Sequence, residues 1–273
     1  MWSLRVPFAA PATEPDTVSG VDRQTSDAAP GRAVTPRARP RLTTRRVAPT
    51  GWWWDALAII ACVALTLVIN AGHLVAFDLR VRDWCAAHDG LAPIAVVFNY
   101  LGQGGFFTVV CGLLAIYWVW RRHSVRPLLP VVLAFALTYI VLTVLKDVTN
   151  RAAPKTHVPH PELFGSGGVS YPSGHLANAF VWYGVLALLV APWLTPRWRW
   201  FVRIAPPVIL TVTTIYLRYH WFTDTAAGIL IGFVLWRVIA RVPWDDVPLG
   251  SWLARRGWDG PALFTCGESR GSS

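Results

Sequence analysis

The chain has 273 residues, 54% of them hydrophobic and only 15% charged, with a mean hydropathy of +0.41. A soluble globular domain carries about 25% charged residues, so this composition excludes an ordinary soluble protein, and the length leaves no room for a second large domain beside several membrane spans. The net charge of +10 is mostly arginine, Lys146 and Lys155 being the only lysines; without a nucleic-acid motif, it reads as loops held on the cytoplasmic side against anionic lipid, and no nucleic-acid partner is expected.

Residues 1–50 are rich in Pro, Ala, Thr and Arg and lack a hydrophobic period, which predicts a disordered cytoplasmic tail. Six arginines fall between Arg32 and Arg46 with no acidic residue among them. The first long apolar run starts only near Trp52, too late for a cleaved secretory signal, so an anchored helix is expected. Trp52, Trp53 and Trp54 suit an interfacial anchor.

Apolar runs follow at about 53–72, 92–120, 127–145, 175–194, 200–219 and 222–240. The second is too long for one straight span, and Asn99, Gly102, Gln103, Gly104 and Gly105 are expected to break it, leaving a span near 104–120. Residues 76–90, with Asp78, Arg80, Arg82 and Asp83, suit an amphipathic helix on the membrane surface. The predicted fold is all-α: a six-transmembrane-helix bundle over 51–241 with the disordered basic tail before it and a C-terminal cytoplasmic tail over 242–273. Cys62 and Cys111 lie in apolar runs, and with Cys85 and Cys266 they show neither a CxxC pair nor zinc spacing, so no disulfide framework is expected.

Basic clusters set the orientation. The arginine-rich tail precedes the first span, Arg121, Arg122 and Arg126 follow the second, Arg197, Arg199 and Arg203 join the fourth and fifth, and Arg237 and Arg241 end the sixth. If six helices alternate, all four clusters share one side, which is then cytoplasmic, and 146–174 and 219–222 face outward.

Those outer segments hold the polar residues. Lys146 and Arg151 offer cationic donors to an anion. Ser173 and Gly174 stand where a helix N-terminus presents free N–H groups, with His175 in its first turn. His220 and Asp224 are four apart, so a helix places them on one face, where the carboxylate can fix the imidazole tautomer. Two histidines, an orienting carboxylate and several cations suffice for phosphoryl transfer: one histidine attacks phosphorus and the other protonates the leaving oxygen. Taken singly, Lys146 and Arg151 also suit snorkelling at a helix end and Ser173 a simple cap; their convergence with His175, His220 and Asp224 favours a site. Pro159 and Pro161 argue against a helical metal pair at His157 and His160, so no metal and no cofactor are expected.

At these residues the chain resembles the type 2 phosphatidic acid phosphatase superfamily, in its membrane lipid phosphatase branch. The family pattern is Lys-x6-Arg-Pro, then Pro-Ser-Gly-His, then Ser-Arg-x5-His-x3-Asp; here Lys146 and Pro154, Pro172-Ser173-Gly174-His175, and His220 with Asp224 carry it. The resemblance covers about 55–240 and implies six spans with an outward-facing site. It implies His220 as the nucleophile forming a phosphohistidine, Asp224 as its orienting group, His175 as the acid for the leaving group, and Lys146, Ser173 and Gly174 as phosphate ligands. Two family arginines are absent, their positions being held by Ala153 and Thr214. Arg151 and Arg218 lie near enough in sequence to replace them, Arg218 about one helical turn or 6 Å beyond Thr214. The expected activity is metal-independent hydrolysis of a lipid phosphate or diphosphate monoester, the substrate being a phospholipid or polyprenyl phosphate. Transfer of the phosphate or a headgroup to an alcohol, and a non-catalytic lipid-binding relative, stay open as alternatives. The arginine bias suggests a bacterial plasma membrane as the location.

Overall fold

The computed structural model describes residues 49–245 and 247–260. The tail expected over 1–50 falls almost wholly outside them, as does Cys266. Among the described residues the fold is all-helical, apart from one antiparallel bridge between Ser124 and Asp259. The helices are α1 (Pro49–Asn70), α2 (Val75–Ala87), α3 (Ala92–Asn99), α4 (Gly104–Arg122), α5 (Leu128–Thr149), α6 (Gly174–Leu189), α7 (Pro196–Tyr216), α8 (Phe222–Arg241) and α9 (Ser251–Arg255). Short 3-10 turns, Asp89–Leu91 and Tyr100–Gly102, flank α3, and the latter breaks the second apolar run.

Among the described residues four helices are long and apolar enough to cross a membrane: Gly51–Asn70, Gly104–Arg122, Leu128–Thr149 and Phe222–Arg241. The other two apolar runs fall short for different reasons. Helix α6 is apolar but only 16 residues long, or about 24 Å against a hydrocarbon core of about 30 Å. Helix α7 carries Arg197, Arg199 and Arg203 near its start and Pro206-Pro207 inside it.

The six long helices nevertheless alternate in direction, as their contacts show. At one end of α1 and α8, Arg237 and Arg241 hydrogen-bond to Asp55 and to the Gly51 carbonyl; at the other, Ile69 packs with Ala227 and Tyr171. Helices α4 and α6 run the same way: Gly104 lies against Asn178, and Trp118 Nε1 donates to the Leu189 carbonyl. Arg121, Arg122, Arg197, Arg199, Arg237 and Arg241 therefore gather at one end of the bundle. Residues 247–260 fold back there, and Arg126 donates to the carbonyls of Val247, Asp259 and Gly260.

Helix α6 is the axle. Ten of its residues are buried, and α4, α5, α7 and α8 pack around it. A helix apolar on every face belongs in an interior. Small residues let α8 approach it closely: a Cβ on Gly228 would overlap the Ser173 carbonyl, and one on Gly184 would overlap the Trp236 ring. The outer faces of α1, α4 and α5 stay apolar and exposed, with Leu57, Ile60, Val109, Leu113, Val132 and Ile140 among them, which suits contact with hydrocarbon. Cys62, Cys85 and Cys111 are free thiols.

Candidate active site

The end of the bundle opposite the arginines is where α5 stops, α6 and α8 begin, and α7 returns. Asn150 ends α5 in a left-handed conformation (φ 45°), a geometry Asn tolerates. The chain then runs to α6 through a loop tied to the end of α5. Gly165 N–H donates to the Thr149 carbonyl, Gly167 N–H to that of Asn150 and Ser170 N–H to that of Arg151. Trp221 Nε1 donates to the Ala152 carbonyl and fastens the loop to α8.

Within this frame lies a cavity of about 680 Å³ lined by Lys146, Gly174, His175 and His220, together with Gln103, Ala153, Ser170, Asn178 and Tyr219. The imidazoles of His175 and His220 meet edge to face at a centroid distance of 5.5 Å, their planes 68° apart. Lys146 Nζ donates to the Val169 carbonyl at 2.8 Å and sits beside Gly174. Ser173 precedes α6 with its N–H on the Asp224 carbonyl and its carbonyl accepting from Ala177 N–H. Its hydroxyl is fully buried, has no hydrogen-bond partner and does not line the cavity. The first-turn N–H groups of α6 are free of helical bonds, as at any helix start.

His220 does not bond directly to Asp224. His220 Nδ1 is 3.8 Å from Asp224 Oδ2, beyond hydrogen-bond range. Ser170 fills the gap: its hydroxyl donates to Asp224 Oδ2 at 2.6 Å and accepts from His220 Nδ1 at 3.1 Å. The carboxylate also accepts from Trp221 N–H at 3.2 Å through Oδ2 and from Arg151 Nη1 at 2.6 Å through Oδ1. Ser170 has no helical spacing to either partner, and only its place beside Tyr171-Pro172-Ser173-Gly174-His175 hints at a role.

Neither expected substitute for the absent arginines reaches the cavity. Arg151 is fully buried behind Asp224. Its guanidinium donates to Asp78 Oδ2, Asp224 Oδ1, the Thr223 hydroxyl and the Glu162 carbonyl, and it lies 5.2 Å from the Trp221 ring centroid. Every guanidinium nitrogen is thus already engaged, so Arg151 bridges two carboxylates and does not face an anion in the cavity. Asp78 comes from α2, the helix expected to lie on the membrane surface. Burial raises its pKa, while Thr223 and Arg151 oppose that rise. Arg218 turns aside because α7 ends at Tyr216 and Arg218 itself is left-handed (φ 57°). It lines a small crevice on another side of His220, which the crevice shares with the cavity, and lies 3.8 Å from Asp89. Thr214 is buried, with its hydroxyl on Asn99 Oδ1. Ala153 lines the cavity with a methyl group. Among the described residues lining the cavity, Lys146 is the single lysine or arginine. Lys155 is not among the lining residues; its Nζ lies 5.0 Å from the centroid of the Tyr219 ring, and burial and Arg218 lower its pKa while Asp89 opposes them. Among the described residues no three His, Cys, Asp or Glu side chains gather as metal ligands would.

The model of the PAP2 superfamily matches residues 127–248. An undecaprenyl-diphosphatase of Sulfolobus acidocaldarius is 27% identical over 194 residues, covering 66% of this chain and 86% of that protein. Phosphatidylglycerophosphatase B of Bacillus subtilis is 25% identical over 154 residues, covering 55% of this chain and 73% of that one. The crystal structure of a transmembrane PAP2-type phosphatidylglycerolphosphate phosphatase from Bacillus subtilis shares the fold, with a TM-score of 0.58 at 20% identity, over 69% of this chain and 94% of that one. The stretch that matches the PAP2 superfamily model, residues 127–248, holds His175, His220, Ser170 and Asp224.

Proposed function

We propose that this chain is a multi-pass membrane phosphatase that hydrolyses a lipid phosphate or diphosphate monoester through a phosphohistidine on His220, without a metal. The observation that carries this reading is the pair of imidazoles meeting edge to face in the cavity, one of them backed by Ser170 and Asp224. The names of the two curated relatives support a lipid phosphate as substrate.

With Nδ1 turned toward Ser170, the opposite edge of the ring carries Nε2 as the nucleophile. Nε2 attacks phosphorus, the bond from phosphorus to the leaving oxygen breaks, and His175 gives that oxygen its proton. Water then attacks the phosphohistidine, losing a proton to His175, and releases phosphate with His220 restored. Lys146 and the first-turn N–H groups of α6 bind the phosphoryl oxygens. Ser170 is a positioning residue: it passes the orienting effect of Asp224 to His220. Ser170→Ala is expected to lower kcat about tenfold to a hundredfold, the worth of one buried hydrogen bond to a charged group, with KM nearly unchanged. Ser170→Thr, which keeps the hydroxyl, is expected to restore most of the loss. A change confined to KM would remove Ser170 from this role.

Helices α6 and α7 complete six crossings in this reading. The arginines gathered opposite the cavity support a reading with the N-terminus in the cytoplasm and the site outside it, in a bacterial plasma membrane. The test is phosphate release by the purified protein in detergent, with and without EDTA, across phosphatidic acid, phosphatidylglycerophosphate and polyprenyl diphosphate. Release that survives EDTA is expected. No release from any of them would overturn the phosphatase reading.

A further inference from the structure

Asn178 is a polar side chain of the cavity to which the reaction above gives no part. It stands on α6 three residues after His175, on the same helical face, and lines the cavity with His175, His220 and Lys146. Among the described residues its carboxamide has no hydrogen-bond partner, yet its polar atoms are not sealed away from solvent. A polar group in that position is completed by water or by a ligand.

The amide nitrogen stands over the start of α6. A Cβ added to Gly174 would lie 3.6 Å from Lys146 Nζ and 4.0 Å from Asn178 Nδ2. The lysine and the amide therefore flank the same first turn, whose own N–H groups are free of helical bonds. Phosphoryl oxygens accept N–H donors at about 2.7–2.9 Å, and several such oxygens spread from one phosphorus. A single phosphoryl group can thus meet the lysine, the helix start and the amide together.

A glycine makes room for the amide. A Cβ on Gly104 would fall 2.6 Å from Asn178 Nδ2, 2.7 Å from Cγ and 3.0 Å from Oδ1. The carboxamide therefore rests against bare backbone at the start of α4, in space that any other residue at 104 would fill. Its donor is also wanted there. Ala153 and Thr214 bring no cation to the cavity, and Lys146 is the single lysine or arginine among its described lining residues. A carboxamide adds N–H donors without adding charge.

We propose that Asn178 binds a phosphoryl oxygen of the substrate through Nδ2, as a neutral donor beside Lys146 in a cavity short of cations. The proposal rests on the phosphatase reading and adds a binding residue to it, with Gly104 as the position that seats the amide.

Inorganic phosphate is the probe, because its binding needs no turnover. Its affinity for the purified protein in detergent is read from the rise of the thermal midpoint with phosphate concentration, beside kcat/KM for a lipid phosphate. Asn178→Ala is expected to weaken phosphate about tenfold or more, the worth of a hydrogen bond to a charged group, and to lower kcat/KM by at least as much. Asn178→Asp, which keeps the shape, is expected to weaken phosphate further at neutral pH. Its gap to wild type should narrow from about pH 8 to about pH 5, as the carboxylate takes up a proton and becomes a donor. A residue that only packed α6 against α4 would lower the midpoint without phosphate and show no such pH dependence. Gly104→Ala, which crowds the amide, should weaken phosphate in the wild-type background and add nothing to Asn178→Ala.

Phosphate affinity within about twofold of wild type in Asn178→Ala overturns the proposal. Should that variant fail to fold, a gap between Asn178→Asp and wild type that is absent or constant with pH overturns it instead. Phosphate bound in an Asn178-dependent way, with none released from any lipid, would keep this binding residue and remove the phosphatase reading. Wild-type turnover that Asn178→Ala leaves unimpaired would remove Asn178 alone.

Discussion

His220→Ala is expected to lower phosphate release from a lipid phosphate by about 10⁴-fold or more, to the floor of the assay. Loss of a covalent nucleophile has consequences of that order, because no other group on the protein holds the same position. The geometry allows little substitution: His175 is the other imidazole on the cavity, and it lacks the Ser170–Asp224 backing that sets the His220 ring. His175→Ala should behave differently. Its loss removes proton donation, about 10²–10⁴-fold for a lipid alkoxide leaving group, but much less for nitrophenyl phosphate, whose leaving group needs no proton. Radiolabelled substrate mixed with wild-type protein and quenched in alkali should leave label on the protein, and His220→Ala should leave none. Label persisting in His220→Ala would place the nucleophile elsewhere.

The sequence made one class of feature legible and hid another. Helices α1, α4, α5 and α8 are plain in the hydropathy because the membrane demands about 20 apolar residues in a row. The convergence of Lys146, His175 and His220 was legible too, since alternating helices must return both histidines to one end. What failed was local extrapolation. Placing Arg218 one turn beyond Thr214 assumed a helix that continues, yet α7 stops at Tyr216 and Arg218 turns left-handed. Arg151 was expected to bend toward the phosphate, but two carboxylates lie on its other side, and one of them, Asp78, is 73 residues away. Ser170 likewise meets its partners across 50 and 54 residues. Such contacts depend on loop packing, and neither a 3.6-residue period nor a motif spacing encodes them. The positions of the absent arginines, Ala153 and Thr214, thus bring no cation to the cavity, where Lys146 and the α6 N-terminus hold the positive charge.

Arg151→Met is expected to destabilise the protein by about 3–5 kcal/mol, the cost of stripping the partner from a buried ion pair. The side chains of Arg151, Asp78 and Asp224 are fully buried, so neither carboxylate can turn to water when the guanidinium is gone. Methionine fills a similar length against Trp221 and Phe164, which confines the loss mainly to charge and hydrogen bonds. Thermal unfolding in detergent should show a large fall in midpoint, and Asp78→Asn added to Arg151→Met should recover part of it, because one of the two orphaned charges is then neutral. That coupling follows from contact between the pair and would be absent between distant sites. Activity in the residual folded fraction should fall mostly in kcat, since Asp224 loses the group that fixes its Oδ1 while the cavity keeps Lys146 and the α6 N-terminus. The opposite pattern, an unchanged midpoint with weakened inhibition by inorganic phosphate, would make Arg151 a phosphate ligand after all. The α2 helix enters the same account: through Asp78 it reaches Arg151, and through Arg151 the carboxylate that positions His220. Helix α2 is thereby tied to the end of the bundle that holds the cavity.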